Sequence, residues 1–337
     1  MTRIYPKKLV VKCPNWLGDV MMALPTIKAV KRDNSECHII LYLHKKFEPF
    51  KEFMPWVDEF IFHDDVRSIF QWKTWIKVMR DSKADTTLIC VNSFKSALLM
   101  TLSKIPNRLG FNDHRSFFMT HGTEMTDELK NKHRRYWYES IASPILDGVA
   151  TIEPALELTH SSHLTQLDGV EDPFIVLATG AAYGPAKEYG LEQYQELISL
   201  LQNKGYTCVL IGAPSELERA SDIAKSSDKT INLVGKTTVA EMFLILTKAF
   251  AFIGNDSGPM HVSAMLGKPT LGIFGSTHPN WTGPVGPKVS YVYLKVTCSP
   301  CYKRHCPYKD DKKMKCMTDI SPSMLINEFD KLIEKNN

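Results

Sequence analysis

The segment IGNDSGPMH, which ends at His261, has the residue types that bind an anion at the start of a helix. An apolar strand ends at Asp256, and the sequence after it predicts a helix whose first backbone N–H groups are unpaired. Gly258 lets a phosphate approach the backbone, Ser257 adds a hydroxyl donor, and His261 lies within reach along the first turn. An ordinary helix with Asp256 or Ser257 as its N-cap would use the same residues.

A second glycine-rich loop, in LATGAAYGPAKEYG, also follows an apolar strand. Thr179, Gly180 and Ala181 could donate backbone or hydroxyl hydrogen bonds. Lys187 in the same loop would supply positive charge without a metal, a common way to stabilise a departing phosphate. The alternative is an exposed lysine that contacts only water.

The first strand-to-helix turn, CPNWLGDVMMALP, contains a candidate general base. Gly18 permits a tight turn, and Asp19 follows it at the start of a helix. The carboxylate of Asp19 could accept a proton from a substrate hydroxyl. It could also serve only as the N-cap of that helix.

Several common catalytic motifs are absent from the sequence. There is no Asp-x-Asp triplet to hold Mg²⁺ or Mn²⁺ against a diphosphate, so a phosphate leaving group would depend on Lys187, helix ends and backbone donors. The chain also lacks the GxxxxGK[ST] loop and the GxSxG elbow. These absences disfavour a P-loop kinase and an α/β-hydrolase.

The chain predicts two doubly wound α/β domains with an active cleft at the carboxyl ends of both sheets. Its 337 residues exceed what one hydrophobic core normally organises. Short apolar runs such as LVVKC and CHIILYL alternate with amphipathic segments, and this pattern restarts at FIVLATG. We place the domains at residues 1–165 and 166–320. A helix at 321–337 is expected to pack back on the first domain.

Glycines mark several element ends in the second half of the chain. Gly205, Gly235 and Gly267 follow or separate helical segments, where a left-handed stop or a tight turn favours glycine.

Composition bounds the cellular context. There is no signal-peptide core and no stretch of the roughly 18 to 20 apolar residues that span a bilayer, so we expect a cytoplasmic protein. The formal net charge of +4 suits anionic small molecules or an anionic membrane surface. The most basic run, KNKHRR at residues 130–135, is interpreted as a solvated loop. The sequence makes no prediction about the oligomeric state.

Eight cysteines fall into two groups. Four lie in or beside strand-like runs and are expected to be buried thiols: Cys13, Cys37, Cys90 and Cys208. The other four crowd one segment: Cys298, Cys301, Cys306 and Cys316. This second group could hold a structural zinc ion or an iron–sulfur cluster, or consist only of buried thiols. In either case we assign it a structural role.

The basic residues around the clustered cysteines allow a different class of function. The segment from Lys303 to Lys315 contains several lysines, together with Arg304 and His305. A zinc-dependent nucleic-acid-binding module is one interpretation, although the net charge is low for it. The same residues could instead meet acceptor phosphates or anionic lipid headgroups.

Four motifs together resemble a known family. WLGDVMMALP, GAAYGPAK, NDSGPMHVSAMLGKPTLGIFGSTHP and CSPCYKRHCPYKDDKKMKCMTDISP are similar, in this order, to segments of the lipopolysaccharide heptosyltransferases of glycosyltransferase family 9. Heptosyltransferase II is the most similar group. The resemblance covers nearly the whole chain.

The resemblance implies a GT-B fold, in which an N-terminal acceptor-binding and a C-terminal nucleotide-sugar-binding domain, both Rossmann-like, face an interdomain cleft. It implies an inverting, metal-independent transfer of L-glycero-D-manno-heptose from ADP-heptose to inner-core lipopolysaccharide on a lipid A anchor. The enzyme would need no cofactor and would work at the cytoplasmic face of a Gram-negative inner membrane, with no nucleic-acid partner. The alternatives are a family member with another sugar or acceptor and a GT-B sugar-nucleotide epimerase.

The resemblance also implies residue roles. Asp19 matches the catalytic aspartate and Lys187 a phosphate-facing lysine. Glu216 and Thr237 fall where the family contacts the nucleoside. The remaining donor-binding positions are Thr179, Gly180, Ala181, Asp256, Ser257, Gly258 and His261.

One stretch departs from the family pattern. The family commonly has GPAKRWP where this chain has GPAKEYG, so that Glu188, Tyr189 and Gly190 replace a basic residue, a tryptophan and a proline. The charge reversal beside Lys187 leaves the exact sugar and acceptor open.

Overall fold

The structure is a computed structural model that describes residues 3–65, 68–158 and 163–336. The chain divides into two compact units, Met1–Thr159 and His160–Asn337. The sequence-based boundary between residues 165 and 166 therefore lies six residues beyond the division that the structure makes.

The first unit is built on a six-stranded parallel sheet in the order β3-β2-β1-β4-β5-β6. Its strands are β1 (Lys8–Lys12), β2 (His38–His44), β3 (Glu59–His63), β4 (Thr86–Ile89), β5 (Asn107–Phe111) and β6 (His121–Thr123). Its helices are α1 (Leu17–Asp33), α2 (Ile69–Asp81), α3 (Phe94–Leu102), α4 (Asp127–Lys130) and α5 (Arg134–Ala142). The central strand β1 pairs Leu9 with Ile39 on one side and with Thr86 on the other.

The second unit repeats the same plan in the order β12-β11-β10-β7-β8-β9. Its strands are β7 (Phe174–Ala178), β8 (Thr207–Ile211), β9 (Thr230–Asn232), β10 (Ala251–Asn255), β11 (Thr270–Phe274) and β12 (Val289–Tyr293), all paired in parallel. Its helices are α6 (Leu191–Asn203), α7 (Leu217–Ala224), α8 (Val239–Lys248), α9 (Gly258–Met265), α10 (Pro279–Thr282), α11 (Lys315–Thr318) and α12 (Pro322–Glu334).

Both sheets have the strand order of a dinucleotide-binding fold, counted as 3-2-1-4-5-6 within each unit. In such sheets the order in which strands are added reverses between the first and fourth strands, and ligands bind at the carboxyl ends of these two strands. That point lies between β1 and β4 in the first unit and between β7 and β10 in the second. The buried strand FIVLA is apolar throughout, and AFIGN is apolar up to Asn255, because helices cover both faces of the sheet.

Helix α12 packs on the second unit. Its buried residues Leu325, Phe329 and Leu332 belong to the hydrophobic core that also contains Tyr194 and Leu197 of α6. Its apolar face is thus buried in this core, and a contact of the last helix with the first domain stays a prediction. Within the described residues, no helix combines the length and apolar character needed to cross a bilayer.

Candidate functional site

The junction of β10 and α9 forms the centre of the site in the second unit. Strand β10 is fully buried and ends at Asn255, and α9 begins at Gly258. Ser257 is the N-cap by position, but its side chain makes no capping hydrogen bond. The alternative in which Asp256 or Ser257 is an ordinary side-chain cap is therefore wrong, and the helix N–H groups face the end of the strand uncapped by a side chain.

Asp256 is a buried carboxylate with three hydrogen-bond donors on one oxygen. Its Oδ2 accepts from Lys187 Nζ at 2.6 Å, Thr277 Oγ1 at 2.7 Å and Thr282 Oγ1 at 3.2 Å. Its Oδ1 lies 3.8 Å from His261 Nε2, an ion-pair distance if the histidine is protonated. The side chains of Asp256 and His261 are each only 4% exposed. Asp256 thus connects the loop after β7, helix α9 and the loop after β11.

The protonation of Asp256 follows from these neighbours. Burial by itself raises the pKa of this carboxyl group, but His261 and the ammonium of Lys187 outweigh that effect and hold the pKa well below its usual range. Asp256 is therefore ionised at neutral pH, and it compensates the charge of Lys187.

Lys187 is not the exposed loop lysine of the alternative interpretation. It ends the short 3-10 turn Pro185–Lys187, and its side chain is 12% exposed. Its Nζ lies 5.0 Å from the ring centroid of Tyr183 as well as against Asp256. The lysine is therefore held in place before any substrate arrives.

The loop that follows β7 is tied to the end of β10 by Asn255. The amide nitrogen of this fully buried side chain donates to the carbonyl oxygens of Thr179 at 2.8 Å and Gly180 at 3.3 Å. Its Oδ1 accepts from the backbone N–H of Tyr189 and the hydroxyl of Tyr194. Asn255 therefore fixes the predicted donor loop, Thr179, Gly180 and Ala181, beside the start of α9.

Glu216 lies against the same loop. A Cβ atom at Gly180 or at Gly212 would overlap with the carboxyl group of Glu216, so these glycines make room for it. Its Oε2 accepts from the backbone N–H of Ala213 at 2.9 Å. Burial raises the pKa of Glu216 above its usual value. The structure thus brings Glu216 to the predicted donor loop.

Thr237 lies in the neighbouring loop, between β9 and α8. It is half-buried, and the cap of α8 is the next residue, Thr238, in a capping box with Glu241. The loops after β8 and β9 meet where Gly235 N–H donates to the Gly212 carbonyl at 3.1 Å. Thr237 and Glu216 therefore follow neighbouring strands at one edge of the sheet.

Several buried polar atoms at this edge find no hydrogen-bond partner within the described chain. They are Thr179 Oγ1, Ser257 Oγ, Ser276 Oγ and His261 Nδ1. Buried hydroxyl and ring nitrogen atoms are normally paired, because leaving one unpaired costs about 1–3 kcal/mol. Their grouping around a helix start indicates a place for a polar ligand.

The departures from the family pattern beside Lys187 are accommodated locally. Glu188 forms an ion pair with Arg219 at 3.9 Å, so its charge is compensated. Tyr189 is fully buried, and its hydroxyl donates to the Ile320 carbonyl at 2.8 Å. Gly190 is the N-cap of α6. Tyr189 therefore belongs to the core and Gly190 to the start of α6, while Glu188 is paired with Arg219.

Asp19 lies in the first unit, in the first turn of α1. The N-cap of α1 is Trp16, so the N-cap interpretation of Asp19 is wrong. Its Oδ1 accepts from Arg134 Nη1 at 2.9 Å, and its side chain is 16% exposed. Arg134 is the first residue of α5, which corrects the interpretation of KNKHRR as only a solvated loop.

The four clustered cysteines line one cavity of about 220 Å³. Burial raises the pKa of the Cys316 thiol to about 12, and the thiols of Cys298, Cys301 and Cys306 add to the rise. Among the described residues, however, no three His, Cys, Asp or Glu side chains are grouped closely enough to hold a metal ion as they stand.

All eight cysteines are free thiols. Cys13, Cys37 and Cys208 are buried as expected, whereas Cys90 is only partly buried.

Sequence reasoning missed four contributors to the two sites: Asn255, Thr277, Thr282 and Arg134. Thr277 follows β11 in the motif FGSTHP. Because the carboxyl ends of parallel strands meet at one edge of the sheet, its position directly after a strand could have identified it. Asn255 lies within the motif already singled out, IGNDSGPMH, but was given no role there. Arg134 had no local signal, because its partner Asp19 is 115 residues away.

Comparisons with known proteins agree with the motif resemblance. The model of glycosyltransferase family 9 (heptosyltransferase) matches residues 72–312. Lipooligosaccharide heptosyltransferase 2 of Haemophilus influenzae is 23% identical, with 96% of this chain and 98% of that protein covered.

Two solved structures have the same fold. The Escherichia coli ADP-heptose lipopolysaccharide heptosyltransferase II has a TM-score of 0.76 at 23% identity, covering 98% of this chain and 99% of its own. A family 9 glycosyl transferase from Veillonella parvula has a TM-score of 0.81 at 20% identity, covering 98% and 97%. These likenesses confirm the predicted GT-B class of α/β fold.

Proposed function

The chain belongs to glycosyltransferase family 9, and from this premise we propose that it transfers L-glycero-D-manno-heptose from ADP-heptose to the inner-core heptose of lipopolysaccharide. The observation that carries the donor assignment is the group of unpartnered buried polar atoms around the start of α9, beside the Lys187–Asp256 pair. This arrangement suits a diphosphate, which has acceptor oxygens for the hydroxyls and the helix N–H groups. The names of the relatives support heptose as the sugar.

The donor diphosphate binds at the start of α9 in this proposal. Helix N–H groups and the hydroxyls of Ser257 and Thr179 donate to its oxygens, while Lys187 adds positive charge. Asp256 acts as a positioning residue, because its oxygens already accept from Lys187, Thr277 and Thr282. Glu216 and Thr237, which follow β8 and β9, contact the nucleoside.

The transfer step is a displacement at the anomeric carbon that inverts its configuration. The acceptor hydroxyl oxygen forms the new glycosidic bond while the bond from the anomeric carbon to the β-phosphate oxygen breaks. The acceptor proton passes to the Asp19 carboxylate, and the electron pair of the broken bond leaves with ADP. Arg134 holds Oδ1 of Asp19, which leaves the other oxygen for the proton. No metal takes part in this step.

The proposal is tested by incubating the protein with ADP-heptose and a truncated core acceptor. Release of ADP together with an acceptor heavier by one heptose is expected. Neither product should form unless ADP-heptose and the acceptor are both present. The Asp19→Asn variant should lose this activity, whereas Asp81→Asn, an exposed aspartate in the same unit, should keep it. Absence of ADP release from the wild-type protein would refute the proposal. A mass-spectrometric screen of other nucleotide sugars then identifies any different donor.

The cysteine cavity has a structural role in the same proposal. Its four thiolates would hold a zinc ion or an iron–sulfur cluster that stabilises the loop between β12 and α11. The common cavity and the ligand type support this role, and buried thiols without metal are the alternative. Elemental analysis and the visible absorption spectrum of protein purified without oxygen distinguish the three states. A metal-free protein with unchanged thermal stability after chelation would leave only the buried thiols.

The acceptor brings the enzyme to the membrane surface in this proposal, on the cytoplasmic face. Exposed lysines of the cysteine-rich loop, among them Lys309, Lys312 and Lys313, would meet acceptor phosphates or anionic lipid headgroups. Charge reversal of these lysines should weaken binding to anionic vesicles or to the acceptor while leaving ADP binding unchanged. Wild-type levels of both kinds of binding in the variant would contradict this part.

A further inference from the structure

The positive charge described so far at the donor site is smaller than the negative charge of a diphosphate. Lys187 is compensated by Asp256, to which its Nζ donates at 2.6 Å. A diphosphate ester brings two or more negative charges, and their number rises when ADP leaves. The start of α9 supplies only about half a positive charge. A second fixed cation near Lys187 would therefore strengthen binding of the diphosphate and stabilise the leaving group.

Arg304 is placed beside Lys187 by its backbone. Ala186 N–H donates to the Arg304 carbonyl at 3.0 Å, so the cysteine-rich loop is bonded to the residue that precedes Lys187. Gly184, whose φ is +153°, permits this approach, because a Cβ atom there would overlap with the carbonyl oxygen of Arg304. A glycine is needed at this position for both reasons.

The side chain of Arg304 shares an aromatic ring with Lys187. The guanidinium carbon of Arg304 lies 5.3 Å from the ring centroid of Tyr183, and Lys187 Nζ lies 5.0 Å from the same centroid. The ring is held in turn, since the Tyr183 hydroxyl donates to the Tyr302 carbonyl at 2.8 Å. Two cations held at one ring repel each other, and an anion that contacts both would relieve this repulsion.

The loop that carries Arg304 is also anchored at the end of β11. The backbone N–H groups of Cys301 and Tyr302 both donate to the Ser276 carbonyl, at 3.1 and 2.8 Å. Ser276 precedes Thr277, one of the donors to Asp256. Within the described residues, Arg304 has no ion pair with a carboxylate, and its side chain is exposed. The guanidinium is thus positioned at the site with its charge uncompensated.

We infer that Arg304, which lies on the cysteine-rich loop, is a second phosphate-binding cation of the donor site. This inference rests on the proposed function, because it assigns the residue to the diphosphate of the same donor. Arg304 binds the diphosphate oxygens through its planar guanidinium, and Lys187 binds them as a point charge. Charge on the departing ADP is therefore shared between two loops that follow different strands.

The test is calorimetric titration with ADP, AMP and adenosine. Arg304→Ala should weaken ADP binding by about tenfold to a hundredfold, the loss expected for one charge-assisted hydrogen-bonded contact. Adenosine binding should be unchanged, and AMP binding should fall less than ADP binding. The ADP affinity of Arg304→Lys should lie between those of the wild type and of Arg304→Ala, because an ammonium keeps the charge without the bidentate geometry. The donor KM should rise more than kcat falls.

The matched control is Lys309→Ala, which removes one positive charge from an exposed position of the same loop. It should bind ADP as the wild type does, and thermal unfolding midpoints should show that all variants are folded. ADP binding by Arg304→Ala within twofold of the wild type, or an equal loss in Lys309→Ala, would overturn the inference and leave the proposed function standing. A wild-type protein that binds no ADP would overturn both.

Discussion

The two sheets share one strand order, yet their carboxyl edges present different chemistry. At the edge of the second sheet, Asp256 is buried among Lys187, His261 and two threonines, and hydroxyls without a partner in the described chain lie near the start of α9. At the edge of the first sheet, Asp19 is more exposed and is paired with Arg134. A rigid edge lined with hydrogen-bond donors suits a polyanion, whereas a partly exposed carboxylate suits proton transfer. The same backbone plan therefore supports two functions through the side chains at its strand ends.

The largest effect is expected from Asp19→Asn, which separates the two edges. Loss of a general base lowers the transfer rate by about 10²- to 10⁴-fold, while the donor edge should keep its affinity for ADP. Steady-state kinetics and calorimetric ADP titration measure the two quantities. A loss of ADP binding equal to the loss of rate would show that proton transfer and donor binding do not belong to separate edges.

Lys187→Ala should affect both binding and stability. It leaves Asp256 buried without its ammonium partner, so the free energy of unfolding should fall by about 3–5 kcal/mol. ADP binding should weaken as well. The exposed Lys229→Ala is the matched control and should change neither quantity. The double variant Lys187→Ala, Asp256→Ala should recover part of the stability in urea unfolding. No recovery would mean that the pair does not account for the loss.

The depressed pKa of Asp256 predicts a pH dependence. A carboxyl group whose pKa is lowered on folding stabilises the protein above its unfolded pKa, about 3.9, and this contribution is lost as the pH falls toward the folded value. Asp256→Asn should therefore be less stable than the wild type at pH 7, and the difference should shrink below about pH 4. Urea midpoints at several pH values test this. A constant difference would contradict it.

Arg134→Ala should act only at the first edge. Loss of a charge-assisted hydrogen bond to Asp19 should reduce kcat by about tenfold to a hundredfold with little change in the donor KM. Arg134→Lys should recover part of kcat, because it restores the charge. A donor KM that rises as much as kcat falls would argue against a positioning role.

The smallest effect is expected from Ser257→Ala, which removes the hydroxyl of the N-cap of α9. Its hydroxyl has no partner in the described chain, so its loss should not lower the free energy of unfolding, while ADP binding should weaken about fivefold. Ser263→Ala is the control in the same helix, because this buried hydroxyl is bonded to Thr270 at 2.9 Å. That variant should lose about 1 kcal/mol of stability and keep ADP binding. The reverse pattern would contradict the ligand role of Ser257.

The sequence by itself determined the features that depend on near neighbours. Alternating apolar and amphipathic runs predicted two doubly wound α/β units, and this prediction is confirmed. Gly205, Gly235 and Gly267 were predicted at left-handed stops or turns, and all three have positive φ. Strand ends that precede helices predicted the segments that we propose bind the donor. Such features follow from local backbone sterics and from periodicity, which a short window of sequence contains.

Only the tertiary structure decided how these segments are paired. Lys187 and Asp256 are 69 residues apart, and Asp19 and Arg134 are 115 residues apart. The packing of α12 on the second unit and the approach of Arg304 to Gly184 likewise depend on which surfaces meet. A charged side chain has no local signal for its distant partner. The partner is selected when strand pairing brings the carboxyl ends of separate strands to one edge and burial makes an unpaired charge costly.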